Sequence, residues 1–573
     1  MRRSDPRSPF VPVGRRRTRC YAAPAVRTPL ALYLLALVGR LVLIALHPDP
    51  AYPDSYYYAD VAHSLVSGHG FSVDFVWIFA EVGGKIPAVP VLPIPSNAHW
   101  MPLASLVQVP FLAVFGMNAF AAAVPFALSG AIAAPLAWAI GREAGAGRVV
   151  SVGAGVLTAF PALSFPFMAQ TDNFSLYQPL VAGALLLGAR GLKGHPRSFA
   201  LAGLLVGLAT LARNDGVLAG GVLGLAFLWD RWRAWRSGGS RLPAIPLWAA
   251  VACAGLFVVV MAPWIARQLA VFGSISPSSA SGKVLFIRTI EEWNQITSPA
   301  TLDHLLGMGI GPLLATRIGG LIAALGIFTT LIGAGLLIPP MVIGAWQRRR
   351  SVDFGPFFGY AAALFAFSAM VSAIHVPGGT FIHSAVALAP HGYILVLEGV
   401  AGVVAWVAAR RTAWNREAAT RVFCGAAVAL GVVAAVFGTL VVDAGWGAKR
   451  EARLTLAAAL DLAGVAPDDR LMTIDASGFD YFTGRGGVVT TNDPLPAELE
   501  IATAYRIRWL VLERDEISTT MAPVLRGDER PAWIGAPVFS LAAKDGGPPR
   551  IALYPVCISP ADQRCAVIAK ANP

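Results

Sequence analysis

The sequence predicts a polytopic α-helical membrane bundle followed by a small extracytoplasmic α/β domain. Of its 573 residues, 56% are hydrophobic and only 14% are charged, whereas about a quarter of residues are charged in soluble domains. Apolar runs close to the ~20 residues needed to cross a bilayer recur between Thr28 and Val442. After Asp443 the charge density becomes ordinary and short β-like runs appear. These observations predict a membrane module over 29–442 and a separate domain over 443–573.

The N-terminus predicts an uncleaved first span. Eight arginines precede the apolar run Leu30–Leu46, as they would in a secretory signal. The run continues into His47-Pro48-Asp49-Pro50, which is not a small-residue cleavage site. We therefore expect residues 1–28 to form a basic cytoplasmic tail.

The net charge of +12 is best explained by membrane topology. Lys and Arg concentrate at the ends of apolar runs, where orientation signals lie, so they are not a nucleic-acid footprint. All basic clusters become cytoplasmic if Met101–Gly116 is interfacial or re-entrant and Ala119–Ile140 crosses once. This gives about eleven spans and places loops 47–100 and 266–315 outside. The later predicted spans are Val149–Phe167, Phe174–Ala189, Phe199–Ala212, Val217–Trp229, Pro246–Ile265, Ile318–Ile343, Phe357–Ile374, Val386–Ala408 and Phe423–Val442.

The C-terminal segment predicts a small α/β domain. Arg470–Ile474 and Trp509–Leu512 have the residue types of strands, and Glu498–Ile507 has those of a helix. Cys557 and Cys565 lie eight residues apart. In an oxidising compartment they either pair or remain free thiols.

Polar residues from distant stretches are predicted to meet on the outer side. The first is Asp54, which follows the first span at the start of a loop rich in tyrosine, including Tyr57. A carboxylate partly shielded from water has a raised proton affinity, which suits a general base. The alternative is a loop acid in water. Asp60, six residues on, is expected to be structural.

Asp172 opens the helix that follows the third predicted span. Asp is a good N-cap residue, and capping is compatible with a functional role.

Arg213 and Asp215 occupy a turn between two short apolar runs. Charges within the membrane are costly, so function is the default expectation, with a local ion pair as the alternative. A guanidinium can bind phosphate oxygens in bidentate fashion. Lys85 and Arg267 are further candidates for binding phosphate, or are ordinary interfacial cations.

The remaining outer candidates are aromatic or imidazole side chains. Trp293 follows two glutamates in an outer loop and either binds the acceptor or packs. His99, His375, His383 and His391 lie in different loops without metal-ligand spacing. No metal site is therefore assigned, although a divalent ion beside a phosphate stays an option.

Several short motifs follow one another in a characteristic order. They are an Asp after the first span, Ser64-Leu65-x-x-Gly68-His69-Gly70, His99-x-x-Pro102-Leu103, Thr171-Asp172, Gly207-Leu208-Ala209-x-Leu211-x-Arg213-x-Asp215-Gly216, and Pro263-Trp264-Ile265-x-Arg267. In these residues the chain resembles the polytopic C-type (GT-C) glycosyltransferases that use polyprenyl-phosphate sugars. That superfamily includes protein O-mannosyltransferases and lipid A aminoarabinose transferases. Departures are Ser55 after Asp54, His99-Trp100-Met101-Pro102-Leu103 in place of His-Pro-Pro-Leu, and Asn214 where proline is usual.

The resemblance implies a membrane glycosyltransferase that moves one sugar from a polyprenyl-phosphate donor to a lipid, glycan or protein acceptor. Transfer would occur in the cell envelope of a bacterium, on the outer face of the cytoplasmic membrane, with an inverting mechanism. Asp54 would be the base, and Arg213, then Lys85 and Arg267, would bind the donor phosphate. Asp172 would orient substrate or hold Arg213, and substrate contacts are assigned at Tyr57, His99, Asp215 and Trp293. The alternative class is a transporter or flippase of lipid-linked sugar, which also buries charges beside broken helices.

Overall fold

The structure is a computed structural model that describes residues 24–238, 240–411, 413–559, 562 and 564. Most of the predicted basic tail and Cys565 lie outside these ranges. Cys557 is disulfide-bonded. The membrane module contains the helices α1 (Pro24–Leu46), α2 (Pro53–Val66), α3 (Leu103–Leu106), α4 (Val109–Phe115), α5 (Ala119–Ala131), α6 (Ala133–Glu143), α7 (Arg148–Ala159), α8 (Phe174–Leu192), α9 (Pro196–Ala212), α10 (Val217–Arg236), α11 (Leu247–Phe272), α12 (Leu302–Leu306), α13 (Ile310–Ile327), α14 (Ile338–Arg348), α15 (Gly355–Met370), α16 (Thr380–Ala385), α17 (Ala389–Ala408) and α18 (Arg416–Ala459).

The described helices form a polytopic membrane bundle. Seven of them are long and apolar enough to cross a membrane, or eight if the bent pair Arg148–Ala159 and Ala162–Ala169 is one span. The apolar helical stretch Leu103–Phe115 is shorter, at about 20 Å against a hydrocarbon thickness of about 30 Å. The predicted helical membrane bundle is confirmed. The lengths of the helices do not establish the predicted number of about eleven spans.

Besides the bent pair, the predicted span Ile318–Ile343 also differs from the observed helices. Residues 318–343 were expected to cross as a single helix, but α13 ends in a π-helical turn, Phe328–Ile332, and α14 starts afresh at Ile338. Between them Ala334 and Gly335 adopt φ values of +43° and +67°, which a right-handed helix cannot accommodate. Prolines then open α14, where their missing N–H groups do no harm.

The C-terminal domain is built on a six-stranded mixed sheet with helices packed on it. The predicted strands and helix agree with the observed β4 (Leu471–Thr473), β6 (Trp509–Glu513) and α20 (Leu495–Ala504). The sheet order is β2-β5-β4-β6-β8-β7, in which β2 (Phe75–Val76) comes from the first outer loop and the other strands have the ranges given next. The elements of this region are the strands β4 (Leu471–Thr473), β5 (Gly487–Val489), β6 (Trp509–Glu513), β7 (Phe539–Leu541) and β8 (Ile551–Pro555), and the helices α19 (Ala476–Thr483), α20 (Leu495–Ala504) and α21 (Ala522–Arg526).

Two elements join this domain to the membrane module. Helix α18 has 44 residues, about 66 Å, so it continues well beyond the membrane. Strand β2 (Phe75–Val76) comes from the first outer loop and pairs in parallel with β5. A Cβ on Gly486 would lie 1.8 Å from the Asp74 carbonyl oxygen, so only glycine permits this approach. The same loop carries a two-stranded sheet of β1 (Ser72–Val73) and β3 (Ile94–Pro95).

Candidate active site

Asp54 lies in the first turn of α2, at the end of the bundle that faces the C-terminal domain. Pro53 opens this helix. The Ser55 hydroxyl accepts hydrogen bonds from the N–H groups of Ala51 (3.0 Å) and Tyr52 (3.1 Å), which satisfies donors that a helix start leaves free. The indole N–H of Trp100 donates to Asp54 Oδ1 at 2.8 Å. These contacts fix the carboxylate, and its side chain still keeps 30% of its surface exposed.

Asp172 is brought to Asp54 by the turn before α8. The Thr171 hydroxyl donates to the Ser55 carbonyl oxygen at 2.8 Å, which ties this turn to α2. The Asp172 side chain is completely buried. Burial, and after it the charge of Asp172, raises the pKa of Asp54 above its ordinary value. Together these two effects outweigh His383, the Trp100 hydrogen bond and Arg213, which lower the pKa. The pair predicted from separate stretches of sequence is therefore adjacent.

His383 completes the cluster and was discounted by the sequence reasoning. Its Nε2 atom lies 3.1 Å from Asp172 Oδ2 and 3.5 Å from Asp54 Oδ2. Its Nδ1 lies 2.8 Å from the Gly379 carbonyl oxygen, so Nδ1 carries the proton and donates. The ring stacks on Phe174 with centroids 4.3 Å apart. Lying 211 residues after Asp172, His383 has no local sequence signal beyond being an outer histidine.

The three side chains form a set that fits a metal ion. One ligand atom from each of Asp54, Asp172 and His383 lies within 4.8 Å of the others. Two carboxylate oxygens and an imidazole nitrogen are common ligands of divalent ions. The Gly379 carbonyl holds the imidazole in the tautomer that leaves Nε2 available.

Arg213 lies beside this cluster. Its Nε atom lies 3.2 Å from Asp215 Oδ1 and 3.2 Å from the Ser384 hydroxyl, and Nη2 donates to the Thr380 carbonyl oxygen at 3.2 Å. Ser384 and Thr380 belong to α16, which also carries His383. One short helix therefore positions both the imidazole and the guanidinium.

The turn that presents Arg213 requires glycine. A Cβ on Gly216 would lie 2.5 Å from the Ala209 carbonyl carbon, so a larger residue would push α9 and α10 apart. Asp215, the residue before it, pairs with Arg213, which supports the ion pair that the sequence left as an alternative. Pairing leaves the guanidinium 17% exposed.

Trp293 forms an aromatic wall with two histidines. Its ring centroid lies 5.3 Å from that of His99 and 5.0 Å from that of His375. Burial, with His375 and Arg213 nearby, lowers the pKa of His99 to about 3. Burial and Arg213, with His383, lower the pKa of His375 to about 4. Both imidazoles are therefore neutral at pH 7 and lie within electrostatic range of Arg213.

Three predicted residues lie apart from this cluster. Tyr57 is fully buried, donates to Glu81 at 2.7 Å and accepts from the Asn97 N–H at 2.7 Å. Arg267 donates to the Ser96 carbonyl oxygen at 2.9 Å and lies over the Phe71 ring. Lys85 is exposed.

Lys283 is a cation that the sequence reasoning missed. It donates to the carbonyl oxygens of Trp293 (3.0 Å) and Gln295, and thereby holds the loop that carries the indole. Burial lowers the pKa of Lys283 to about 8. Its position, inside an irregular outer loop, gives it no motif by which it could be found.

The C-terminal domain holds two segments of the candidate active site. The Ser477 hydroxyl lies 3.3 Å from the carbonyl oxygen of Pro53, next to Asp54. The Asp493 carboxylate accepts from the N–H groups of Ile296 (2.7 Å) and Thr297 (2.9 Å). Both the start of α2 and the Trp293 loop are therefore held by the same domain.

Comparison with known proteins agrees with this architecture. The archaeal oligosaccharyltransferase AglB from Archaeoglobus fulgidus, solved with an inhibitory peptide and a dolichol-phosphate, superposes with a TM-score of 0.54 at 13% identity. The match covers 93% of this chain and 74% of AglB. ArnT from Cupriavidus metallidurans, solved with undecaprenyl phosphate, gives a TM-score of 0.51 at 15% identity and covers 92% of this chain and 97% of ArnT. The chain has the C-type glycosyltransferase fold.

The sequence comparison covers part of the membrane module. Residues 97–265 match the family model of dolichyl-phosphate-mannose-protein mannosyltransferases. The matched range contains His99, Asp172, Arg213 and Asp215 and ends before Arg267. No curated protein sequence matches the chain. The superfamily resemblance inferred from the motifs is confirmed, together with the multi-pass membrane class.

Proposed function

We propose that this protein is a membrane glycosyltransferase that moves one sugar from a polyprenyl-phosphate donor to an acceptor hydroxyl on the outer face of the cytoplasmic membrane. The observation that carries the proposal is that Asp54, still 30% exposed, lies beside buried Asp172 and within electrostatic range of Arg213. Two structures of the same fold hold a polyprenyl phosphate, which supports a lipid-linked donor here.

Transfer would be a single displacement with inversion at the anomeric carbon. The acceptor oxygen forms the new bond to that carbon while its proton passes to Asp54. The bond from carbon to the phosphate oxygen breaks, and the phosphate leaves with the electron pair. Asp54 suits this role because its raised pKa makes it a stronger base than an ordinary aspartate.

Arg213 would stabilise the leaving phosphate as its negative charge grows. It is held by Asp215 and α16, so its guanidinium is already positioned before reaction. The neutral rings of Trp293, His99 and His375 would form the apolar face on which a sugar ring stacks. Lys85 and Arg267 remain proposed phosphate contacts of lower rank, since Arg267 is engaged with loop carbonyls.

Asp172 and His383 would support Asp54. Because Asp172 is fully buried, it acts on the substrate through its neighbours. A divalent ion held by Asp54, Asp172 and His383 would supply Lewis-acid stabilisation to the phosphate. It would also lower the pKa of Asp54, so the role of Asp54 as base belongs to the site without the ion.

The test compares glycolipids and envelope glycans by mass spectrometry in a strain that lacks the gene. Wild type and Asp60→Asn are expected to restore a missing single sugar, and Asp54→Asn is not, with a fall in rate of about 10²–10⁴-fold. Asp60 is the matched control because it is an aspartate of the same helix, α2, and its side chain is largely buried, with 8% of its surface exposed. Restoration by Asp54→Asn would refute the assignment of the base.

A second measurement separates transfer from transport. The purified protein in detergent should form product from an extracted polyprenyl-phosphate sugar, since chemistry needs no sealed membrane. Flux of the lipid across vesicles without any product in detergent would favour the flippase.

A further inference from the structure

A groove opens on the lipid-facing side of the bundle between α1, α7 and α18. Helices α1 and α18 both pack against α7, which forms the floor. The cavity has a volume of about 630 Å³. Its walls are mostly apolar and include Ala31, Leu35, Val152, Val156 and Val428.

Three arginines surround one end of this groove. Arg27 lies at the start of α1, Arg148 is the first residue of α7, and Arg421 lies in the second turn of α18. All three helices begin at this end, so the arginines share one membrane face. Helix α1 spans about 34 Å from here to the loop before Asp54. The groove therefore lies in the leaflet opposite the candidate active site.

The positive charge at this end is poorly balanced. Within the described ranges, Arg27 and Arg148 have no ion pair. Arg421 lies 3.9 Å from Glu417, but the two side chains are 62% and 84% exposed, so the pair is weak. Helix α7 also begins without a side-chain cap, which leaves N–H groups and the positive end of its dipole facing the same region.

Arginines at span ends commonly serve only as orientation signals. Other arginines of this protein lie over an aromatic ring four residues earlier in the chain. The guanidinium carbons of Arg233, Arg236 and Arg410 lie 4.6, 4.7 and 3.9 Å from the centroids of Trp229, Trp232 and Trp406. The three groove arginines instead meet at the mouth of an apolar cavity, which combines a phosphate site with room for a hydrocarbon chain.

We propose that this groove binds an anionic phospholipid of the leaflet opposite the active site. Its phosphodiester would contact Arg27, Arg148 and Arg421, and an acyl chain would lie along Val152 and Val156. Basic pockets between membrane helices select such headgroups. A phospholipid fits better than the polyprenyl-phosphate donor, because the groove is a full helix length from Asp54 and cannot deliver a sugar to it.

The test uses the full-length protein released from bilayers of equal phosphatidylglycerol and phosphatidylcholine, with bound lipid counted by native mass spectrometry. The variant Arg27→Gln/Arg148→Gln/Arg421→Gln should lose about 100-fold in preference for phosphatidylglycerol, since each basic side chain contributes roughly fivefold. The charge-matched control is Arg233→Gln/Arg236→Gln/Arg410→Gln, which should keep the preference. Equal loss in both variants, or in neither, overturns the proposal.

A second variant keeps the charges and fills the cavity. A Cβ on Gly425 meets no atom within 4 Å, so Gly425→Leu can extend into the groove. It should also reduce retained phosphatidylglycerol, while unchanged retention would overturn the acyl-chain placement. Displacement of phosphatidylglycerol by an equal mole fraction of undecaprenyl phosphate would overturn the choice of a phospholipid.

Discussion

Arg453→Met tests the buried ionic cluster that joins the C-terminal domain to α2. Arg453 has no exposed surface, and it donates to Asp475 at 2.6 Å and to Glu513 at 2.7 Å. These carboxylates are only 1% and 4% exposed. The guanidinium also lies 5.3 Å from the Tyr56 ring of α2. Methionine keeps much of the volume and removes the charge.

The expected loss is about 3–5 kcal/mol in the free energy of unfolding, because two carboxylates are left buried without their cation. Lys449, whose ammonium lies 3.9 Å from Asp475, limits the loss to the lower half of that range. Burial favours a higher pKa for Asp475, but Arg453 and then Lys449 outweigh it and hold that pKa below its usual range. The stabilisation by Asp475 is thus present above its unfolded pKa of about 3.9 and is lost as the pH falls below it.

Removal of Arg453 reverses this dependence. Without Arg453, burial raises the pKa of Asp475. Protonation of this carboxylate at acidic pH then removes the cost of burying its charge in the variant. The deficit relative to wild type should therefore be largest near neutral pH and should narrow as the pH falls toward 4.

The assay is denaturation of the full-length solubilised protein at neutral and acidic pH, with hydrogen exchange over residues 53–66. Arg450→Met is the matched control one turn away, because Arg450 is 48% exposed and its pair with Asp49 should contribute about 1 kcal/mol or less. Exchange in α2 should rise in Arg453→Met and stay unchanged in the control. Equal stability of the two variants, or a deficit that does not narrow in acid, would refute the reasoning.

Three further predictions concern the candidate active site and the loops that support it. The transfer rate should fall as the pH drops through the raised pKa of Asp54. Asp172→Asn should move this acidic limb of the pH–rate profile to lower pH, because it removes a neighbouring negative charge. A limb that stays at the same pH in the variant would contradict the assignment of Asp54. Asp493→Ala should leave two loop N–H groups without an acceptor, destabilise by about 1–3 kcal/mol and raise hydrogen exchange at 291–297 more than elsewhere. Tyr57→Phe should cost more at pH 8 than at pH 6 in thermal unfolding, because burial raises the pKa of Glu81 to about 7 and the lost hydrogen bond favoured its charged form; an equal cost at both pH values would disprove this coupling.

Composition and spacing were enough to predict the membrane class, the C-terminal α/β domain and the proximity of Asp54 to Asp172, while their catalytic roles stay a prediction. Asp54 and Asp172 each follow the end of an apolar run, so their membrane side could be inferred before their contact was known. His383 could not be found in this way, because its partners are set by how α16 packs beside α8. The predicted span 318–343 was wrong as one helix, since hydropathy is blind to the left-handed residues at 334 and 335.

The candidate residues that lie apart from the Asp54, Asp172 and His383 cluster show a second limit of prediction from sequence. Tyr57 and Arg267 have suitable chemistry for a substrate, yet both are engaged in folding the first outer loop. A sequence shows which side chains can form hydrogen bonds, but the partners of a loop residue depend on tertiary contacts. Lys283 illustrates the converse, because its contacts with the Trp293 loop give it a supporting role without any motif.

The parallel pairing of β2 with β5 has a consequence for biogenesis. Val76 leaves the ribosome 412 residues before its neighbour Val488, which at 5–20 residues per second is a delay of roughly 20–80 s. During this interval the first loop lacks one of its hydrogen-bonding strands, and Asp54 lacks the Ser477 contact behind it. A chain truncated before α19 would therefore lack both supports of the candidate site, which arrive only with the final domain.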